Sequence, residues 1–221
     1  YWHIFTYFAP YKGTTMHKKL LVTAYFVIAA LLQTLAGNFP LSFFAFPLNV
    51  IVAVIWIYSL WRLYKEGNKL PLTRFLLSSR TSVLSILLLI GGSLVIGLFP
   101  QLSEAEADSI PGVLASLGCY NFMTSWIFIA ILFLLLSNLA MVIIHAFYHC
   151  VPAKKRFILN HLGLWLALFA GFFGSSDVQT LRISLYAGQP GREAYSMDGK
   201  AYYLDYELEL YSFNTEYYPN G

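Results

Sequence analysis

The sequence predicts an α-helical integral membrane protein of about five transmembrane helices, followed by the start of a β-rich extracytoplasmic domain. Three observations predict it. Hydrophobic residues make up 58% of the 221, and charged residues only 11%. So few charges cannot cover the surface of a water-soluble domain of this size. Five apolar windows are long enough to cross ~30 Å of hydrocarbon at a helical rise of ~1.5 Å per residue. After Gly174 the chain turns polar and its hydrophobic period shortens to two.

The first window, Leu20–Ala36, follows a polar and aromatic segment and lacks a small-residue cleavage site, so it is read as a span and not as a signal peptide. The run Gly37-Asn38-Phe39-Pro40 turns it into the second window, Phe43–Leu60. A charged linker, Arg62–Leu72, carries Gly67, Asn68 and Pro71. It separates an N-terminal hairpin region, residues 1–72, from a three-span core, residues 73–174. The core contains Thr81–Phe99, Phe122–Phe147 and Phe157–Gly174. Between its first two spans, Pro111–Leu117 suits a short amphipathic helix in the membrane interface.

Residues 175–221 are expected to begin the outer domain. Leu204, Tyr206, Leu208 and Leu210 alternate with Asp205, Glu207 and Glu209, the period of a half-buried strand. Asp198-Gly199 suits a hairpin turn between Tyr195 and Tyr202. A β-rich tail this short makes a meagre independent core. The chain also lacks an initial Met and stops at Pro219-Asn220-Gly221, so the outer domain is expected to continue past residue 221.

Charge placement sets the expected orientation. Of the 14 Lys and Arg residues, 11 fall on one side of the five windows: Lys12, Lys18 and Lys19; Arg62, Lys65, Lys69, Arg74 and Arg80; and Lys154, Lys155 and Arg156. The opposite loop carries Glu104, Glu106 and Asp108 and no base. The positive-inside rule puts the N-terminus in the cytoplasm and the tail outside. The net charge of +3 thus reflects topology and contact with anionic lipid heads, and does not point to nucleic acid. Cys119 and Cys150 lie at opposite ends of one span, too far apart for a disulfide. The chain has no Cys-x-x-Cys or Cys-x-x-Cys-His motif.

His161 is the polar group that most needs explaining, because it sits one turn inside an apolar window. Ionisable residues at such depth tend to mark a ligand, a proton path or a cofactor, and imidazole is a common axial ligand of haem iron. On a helix, His161, Trp165, Leu168 and Phe172 fall within about 60° of one another. Gly163, Ala167, Ala170, Gly171 and Gly174 fall on the other side, and small residues allow close helix packing. In one reading the small face packs on the bundle and the His face meets a flat apolar ligand or a partner. In the other, His161 is an interfacial side chain solvated by headgroups, about 6 Å from the helix end.

His145 and His149 stand four residues apart at the same end, a spacing that can hold one metal ion. His145 and His161 could instead bind one haem as two axial ligands, or the pair could belong to the amphipathic belt of the span. Ser137 and Asn138 suit interhelical hydrogen bonding. Trp2, Trp56, Trp61 and Trp126 suit anchoring or packing, and His3 and His17 show no partner pattern. No Ser/His/Asp arrangement, phosphate-binding glycine loop or pair of intramembrane carboxylates occurs, so a hydrolase or proton pump has no sequence support.

Three stretches together carry a family resemblance. The first is Arg74-Phe75-Leu76-Leu77-Ser78-Ser79-Arg80 with a span closing on Gly97-Leu98-Phe99-Pro100-Gln101. The second is Ser125-Trp126-Ile127-Phe128 leading to the span with Asn138. The third is Asn160-His161-Leu162-Gly163, then Phe173-Gly174, then Leu208-Glu209-Leu210-Tyr211-Ser212-Phe213-Asn214-Thr215-Glu216-Tyr217-Tyr218-Pro219. In order and spacing these resemble the ResB (CcsB) family, the membrane component of System II cytochrome c biogenesis. The likeness runs from Arg74 onward, about two-thirds of the chain, and leaves the first two spans outside it.

The resemblance implies three spans before a large outer β-rich domain, with His161 as an axial ligand to haem b held non-covalently in the membrane. It also implies a CcsA-like haem-handling partner, separate or fused, which supplies the opposing histidine and a tryptophan-rich segment, neither of which this sequence contains. The expected function is therefore the non-catalytic half of a haem exporter and cytochrome c synthase, passing haem outward for attachment to apocytochrome c in a bacterial inner membrane. In that reading Trp165 and Phe172 line the porphyrin. Two alternatives stay open: a haem b electron-transfer subunit using His145 and His161, and a membrane assembly factor without cofactor.

Overall fold

A computed structural model of the chain describes residues 15–41, 44–67, 70–102, 106–107, 109–149, 155–178, 180–196 and 199–215, with side chains from residue 20 onward. His3, Lys12, Phe43, Lys69, Glu104, Asp108, Cys150, Lys154, Asp198 and residues 216–221 lie outside that set, as do the side chains of His17, Lys18 and Lys19. The chain forms two compact units that meet between Ser176 and Asp177.

The first unit is helical. It comprises α1 (Thr15–Ala36), α2 (Leu48–Lys65), α3 (Pro71–Leu76), α4 (Ser79–Leu98), the single turn α5 (Val113–Ser116), a 3-10 segment (Cys119–Thr124), α6 (Trp126–Tyr148) and α7 (Lys155–Phe173). Among these, α2, α4, α6 and α7 are long and apolar enough to cross a membrane, while the apolar part of α1, Leu20–Ala36, is shorter.

Helix α6 is the axis of the unit, with α1, α2, α4 and α7 packed around it. Its sequence is apolar on every side, and a helix of that kind is stable only when neighbours cover it all round. Leu136 and Met141 are accordingly sealed, and Ile129, Ile131, Leu135 and Ile143 are buried. The outer helices bury one stripe each. On α2, Val50, Ile51, Val54 and Ile55 stay half or more exposed, and on α4 so do Ile86, Leu87 and Leu94. These continuous apolar faces exceed the scattered exposed side chains that a soluble surface tolerates.

The helix limits depart from the hydropathy windows for local reasons. Helix α2 starts at Leu48 and not at Phe43, because Pro47 takes the N-cap position, where its missing N–H costs nothing. Helix α6 starts at Trp126 and not at Phe122. Gly118 adopts φ +75°, the chain makes a 3-10 turn, and Ser125 in extended conformation caps α6 by accepting from the Phe128 amide at 3.1 Å. The expected interfacial helix over Pro111–Leu117 reduces to the one turn of α5, with Val113 and Leu114 exposed.

Buried polar side chains fasten the helices at their ends, where backbone groups lack intrahelical partners. Asn138 Nδ2 donates to the Leu76 carbonyl at the end of α3, at 2.5 Å. Asn49 Nδ2 donates to the Phe173 carbonyl at the end of α7, at 2.7 Å. Gln33 Oε1 accepts from the Trp126 amide at 2.9 Å, and its Nε2 donates to Asn38 Oδ1. Tyr25, exposed in the middle of α1, adds a bond from its OH to the Ala130 carbonyl of α6. Each bond satisfies a group that would otherwise be stranded in an apolar setting.

The second unit is a three-stranded antiparallel sheet in the order β1 (Leu181–Arg182), β2 (Pro190–Ser196) and β3 (Ala201–Glu209). The β2–β3 hairpin pairs Ala194 with Tyr202 and Tyr195 with Ala201, and Gly199 sits in its turn at φ +78°. A bulge between Gly191 and Glu193 shifts the register, and Arg192 Nε pairs with Glu207 Oε1 across the strands at 2.9 Å. Ala194 is buried, but Tyr203, Tyr206, Leu208 and Tyr211 are exposed. The alternation seen over Leu204–Leu210 therefore runs along β3 and the residue after it, with Leu204 and Leu210 half-buried and Tyr206 and Leu208 exposed.

Candidate functional site

Helix α7 runs from the basic Lys155-Arg156 end to Phe173, and His161 stands near its start. The His161 ring is half-buried. It lies against Phe157, one turn earlier, with ring centroids 3.8 Å apart, and its Nδ1 is 2.8 Å from the Phe157 carbonyl. A carbonyl can only accept, so Nδ1 carries the proton. That leaves Nε2 as the outward ring nitrogen, with no hydrogen-bond partner among the described residues. An Nδ1–H bond to a backbone carbonyl is the arrangement by which proteins fix the tautomer and orientation of metal-ligating histidines.

The faces of α7 are the reverse of one sequence expectation. The small-residue face does not pack on the bundle: Gly163, Ala167, Ala170 and Gly171 are exposed, and a Cβ at Gly163 or Gly171 would meet nothing within 4 Å. The aromatic face turns inward instead. Trp165 Nε1 donates to the Leu136 carbonyl of α6 at 3.1 Å, and its indole stacks with Phe169 at 4.7 Å and, farther off, with Trp56 of α2 at 6.3 Å. Phe172 is buried against Phe39, Phe44 and Phe133. Burying a large aromatic ring contributes more than letting a glycine stripe approach α6, so the bulkier stripe wins the core-facing position. His161 lies at the margin of this buried stripe, with Leu164 exposed beside it.

Trp165 and Phe172 are thus engaged by the protein's own rings. Their position supports the turn that carries His161; Phe172 is buried, while Trp165 is half-buried. His145, near the end of α6, has its Nδ1 3.2 Å from Tyr64 OH and its ring 4.3 Å from that of His149. His149 Nδ1 donates to the His145 carbonyl. The two histidines share one side of α6, as their spacing implied. Among the described residues, no group of three or more His, Cys, Asp or Glu side chains gathers to hold a metal ion.

Three residues that organise this region drew little notice in the sequence. Trp56 stacks with Trp165, Phe169 and Phe173 and donates to Ser137 Oγ at 3.2 Å. Asn49 and Gln33 tie helix ends together from inside apolar windows. Their polarity within such windows was the available signal, since buried polar groups in apolar helices normally face a partner. Beside α2 lies a cleft of about 1050 Å³, bounded by α1, α2, α3 and α6.

No protein-family model matches this chain, and no curated protein or solved structure matches it.

Proposed function

We propose that the chain is a ResB-like membrane subunit that accepts haem at His161 and passes it outward to a CcsA-like partner for attachment to apocytochrome c. The observation that carries this reading is the His161 side chain: Nδ1–H held by the Phe157 carbonyl at 2.8 Å, Nε2 without a partner among the described residues, at the margin of an apolar helix face. The ordered stretches from Arg74 to Pro219 add the family resemblance. The membrane setting draws on the four helices long enough to span and on the one-sided basic residues. In it the N-terminus is cytoplasmic and the β-sheet unit is extracytoplasmic.

The residues fit haem in one respect and not in another. His161 supplies one axial nitrogen to the iron. Phe172 does not supply a porphyrin wall, because its ring is buried in the bundle, and Trp165 already gives its indole N–H to the Leu136 carbonyl. Their role in this reading is to hold α7 against α6 and so fix the direction of the imidazole. A bound haem brings an iron centre with two axial positions and vinyl groups that can accept thiols. This chain would hold the iron through the His161 Nε2, whose direction the Phe157 bond fixes. The second axial ligand and the thioether chemistry then belong to the partner.

The test is cytochrome c maturation by the full chain together with its CcsA-like partner. His161→Ala is expected to lower both haem co-purification and cytochrome yield, and added imidazole is expected to restore part of the yield by occupying the empty axial position. Unchanged haem content in His161→Ala, with no response to imidazole, would contradict the assignment.

A further inference from the structure

We propose that the cleft between α1 and α2 is a binding site for one acyl chain of an anionic phospholipid, with its headgroup held at the basic ends of α2 and α3. The cleft encloses about 1050 Å³ and is walled by Leu21, Ile28, Val52, Trp56, Phe75 and Ile129, among others. It rests on the reading that these helices stand in a membrane, and it does not depend on haem.

Three features select the occupant. Along the length of the cleft the described polar side chains are already engaged, and the unpartnered Trp126 Nε1 at its apolar end is buried out of reach. Tyr25 OH is given to the Ala130 carbonyl, Trp56 Nε1 to Ser137 Oγ and Ser59 Oγ to the Ile55 carbonyl. A ligand with polar groups along its length would leave them unpaired, so the part inside the cleft is hydrocarbon. The length also fits. From Leu21 to Leu32 on α1 is about 16 Å of helix, and from Leu48 to Leu63 on α2 about 22 Å. One leaflet of hydrocarbon is about 15 Å, half the bilayer core.

Charge selects the headgroup. Residues 15–81 hold Lys18, Lys19, Arg62, Lys65, Lys69, Arg74 and Arg80 against a single carboxylate, Glu66. None of them lies between Lys19 and Arg62; among the described residues Arg62 and Lys65 stand at the end of α2 and Arg74 in the last turn of α3, while the opposite end of the cleft is lined by Phe39, Pro40, Phe44 and Trp126. At the charged end, Arg62 reaches Glu66 only at 3.9 Å and both side chains are more than half exposed. Lys65 Nζ lies over the Trp61 ring at 3.9 Å. An amphiphile with one long tail region and one anionic head matches this one-ended pattern.

The experiment reconstitutes the full chain in phosphatidylcholine vesicles containing phosphatidylglycerol with a photoreactive diazirine in its acyl chain, and maps adducts by mass spectrometry after irradiation. Adducts are expected on the cleft-facing residues Val52, Trp56 and Leu60 in preference to Val54 and Ile55 on the outward face of α2. Moving the diazirine to phosphatidylcholine should lower the cleft adducts, and Arg62→Gln or Lys65→Gln should lower them about fivefold per charge removed. Val52→Trp, which fills the cleft, should abolish them, while Val54→Trp should not. Equal labelling of both faces, or cleft labelling indifferent to headgroup, would overturn the site. So would a cleft protected from lipid and cross-linked to a second copy of the chain. Failure of the chain to fractionate with membranes would overturn the membrane reading itself, a separate result.

Discussion

Asn138, in the middle of α6, donates from Nδ2 to the carbonyl of Leu76, the last residue of α3, at 2.5 Å. Both residues are buried. A short helix is thereby sewn to the central one through a carbonyl that its own backbone cannot satisfy. Thr73 and Thr81 add to the tie, donating to the Leu63 and Phe75 carbonyls.

Asn138→Leu is therefore expected to strand the Leu76 carbonyl and to lower stability by about 1–3 kcal/mol. Thermal unfolding of the full chain in detergent checks it. A substitution of outward-facing Leu94, 60% exposed, to Ala should move the midpoint far less. Equal shifts for the two variants would mean the bond contributes little.

The bond from the Trp126 amide to Gln33 Oε1 caps α6 from another helix, 93 residues away. Gln33→Leu should cost about 1 kcal/mol, the usual worth of an N-cap, and should speed hydrogen exchange at the first turn of α6. Exchange at Trp126 that does not change would show that the Ser125 cap is sufficient alone.

How much of this was legible beforehand follows from the range of each interaction. The helical class, the spans and the hairpin around Gly199 are written in local composition and period. The start of α6 is not, because Phe122 is as apolar as Trp126 and only the capping geometry of Ser125 separates them. The orientation of α7 is not legible for a related reason. A stripe of Gly163, Ala167 and Gly171 and a stripe of Trp165, Phe169 and Phe172 are equally good candidates for an inner face. The choice rests on Trp56 and Phe133, which lie on other helices. His161 itself was legible as a polar group in an apolar run, but its Phe157 bond and open Nε2 required the rotamer.

The outward small face yields a test of its own. Gly163→Ala should be tolerated and should raise stability by about 0.5–1 kcal/mol, since a helical glycine becomes an alanine in open space. Thermal unfolding in detergent reads this. If Gly163→Ala instead destabilises the chain, the small face packs on the protein and the arrangement of α7 is wrong.

Burial of Cys119 pushes its thiol pKa up. Thiolate is the reactive form, so in a full chain carrying Cys150→Ser, alkylation by a small maleimide should be slow at neutral pH. It should accelerate as pH rises toward the raised pKa, and denaturant should remove the difference from a free thiol. Rapid labelling of the folded chain at pH 7 would show that Cys119 is open to solvent.

The most direct test of the haem assignment is an absorption titration of the full chain in detergent with haem, comparing wild type, His161→Ala and His145→Ala. Wild type and His145→Ala are expected to bind alike through a single protein imidazole, while His161→Ala loses affinity by about tenfold or more, the loss of about 1.4 kcal/mol or more. Binding by His161→Ala at the wild-type level would contradict the account. A bis-histidine spectrum abolished by His145→Ala would contradict it too, and would favour a haem b electron-transfer subunit in its place.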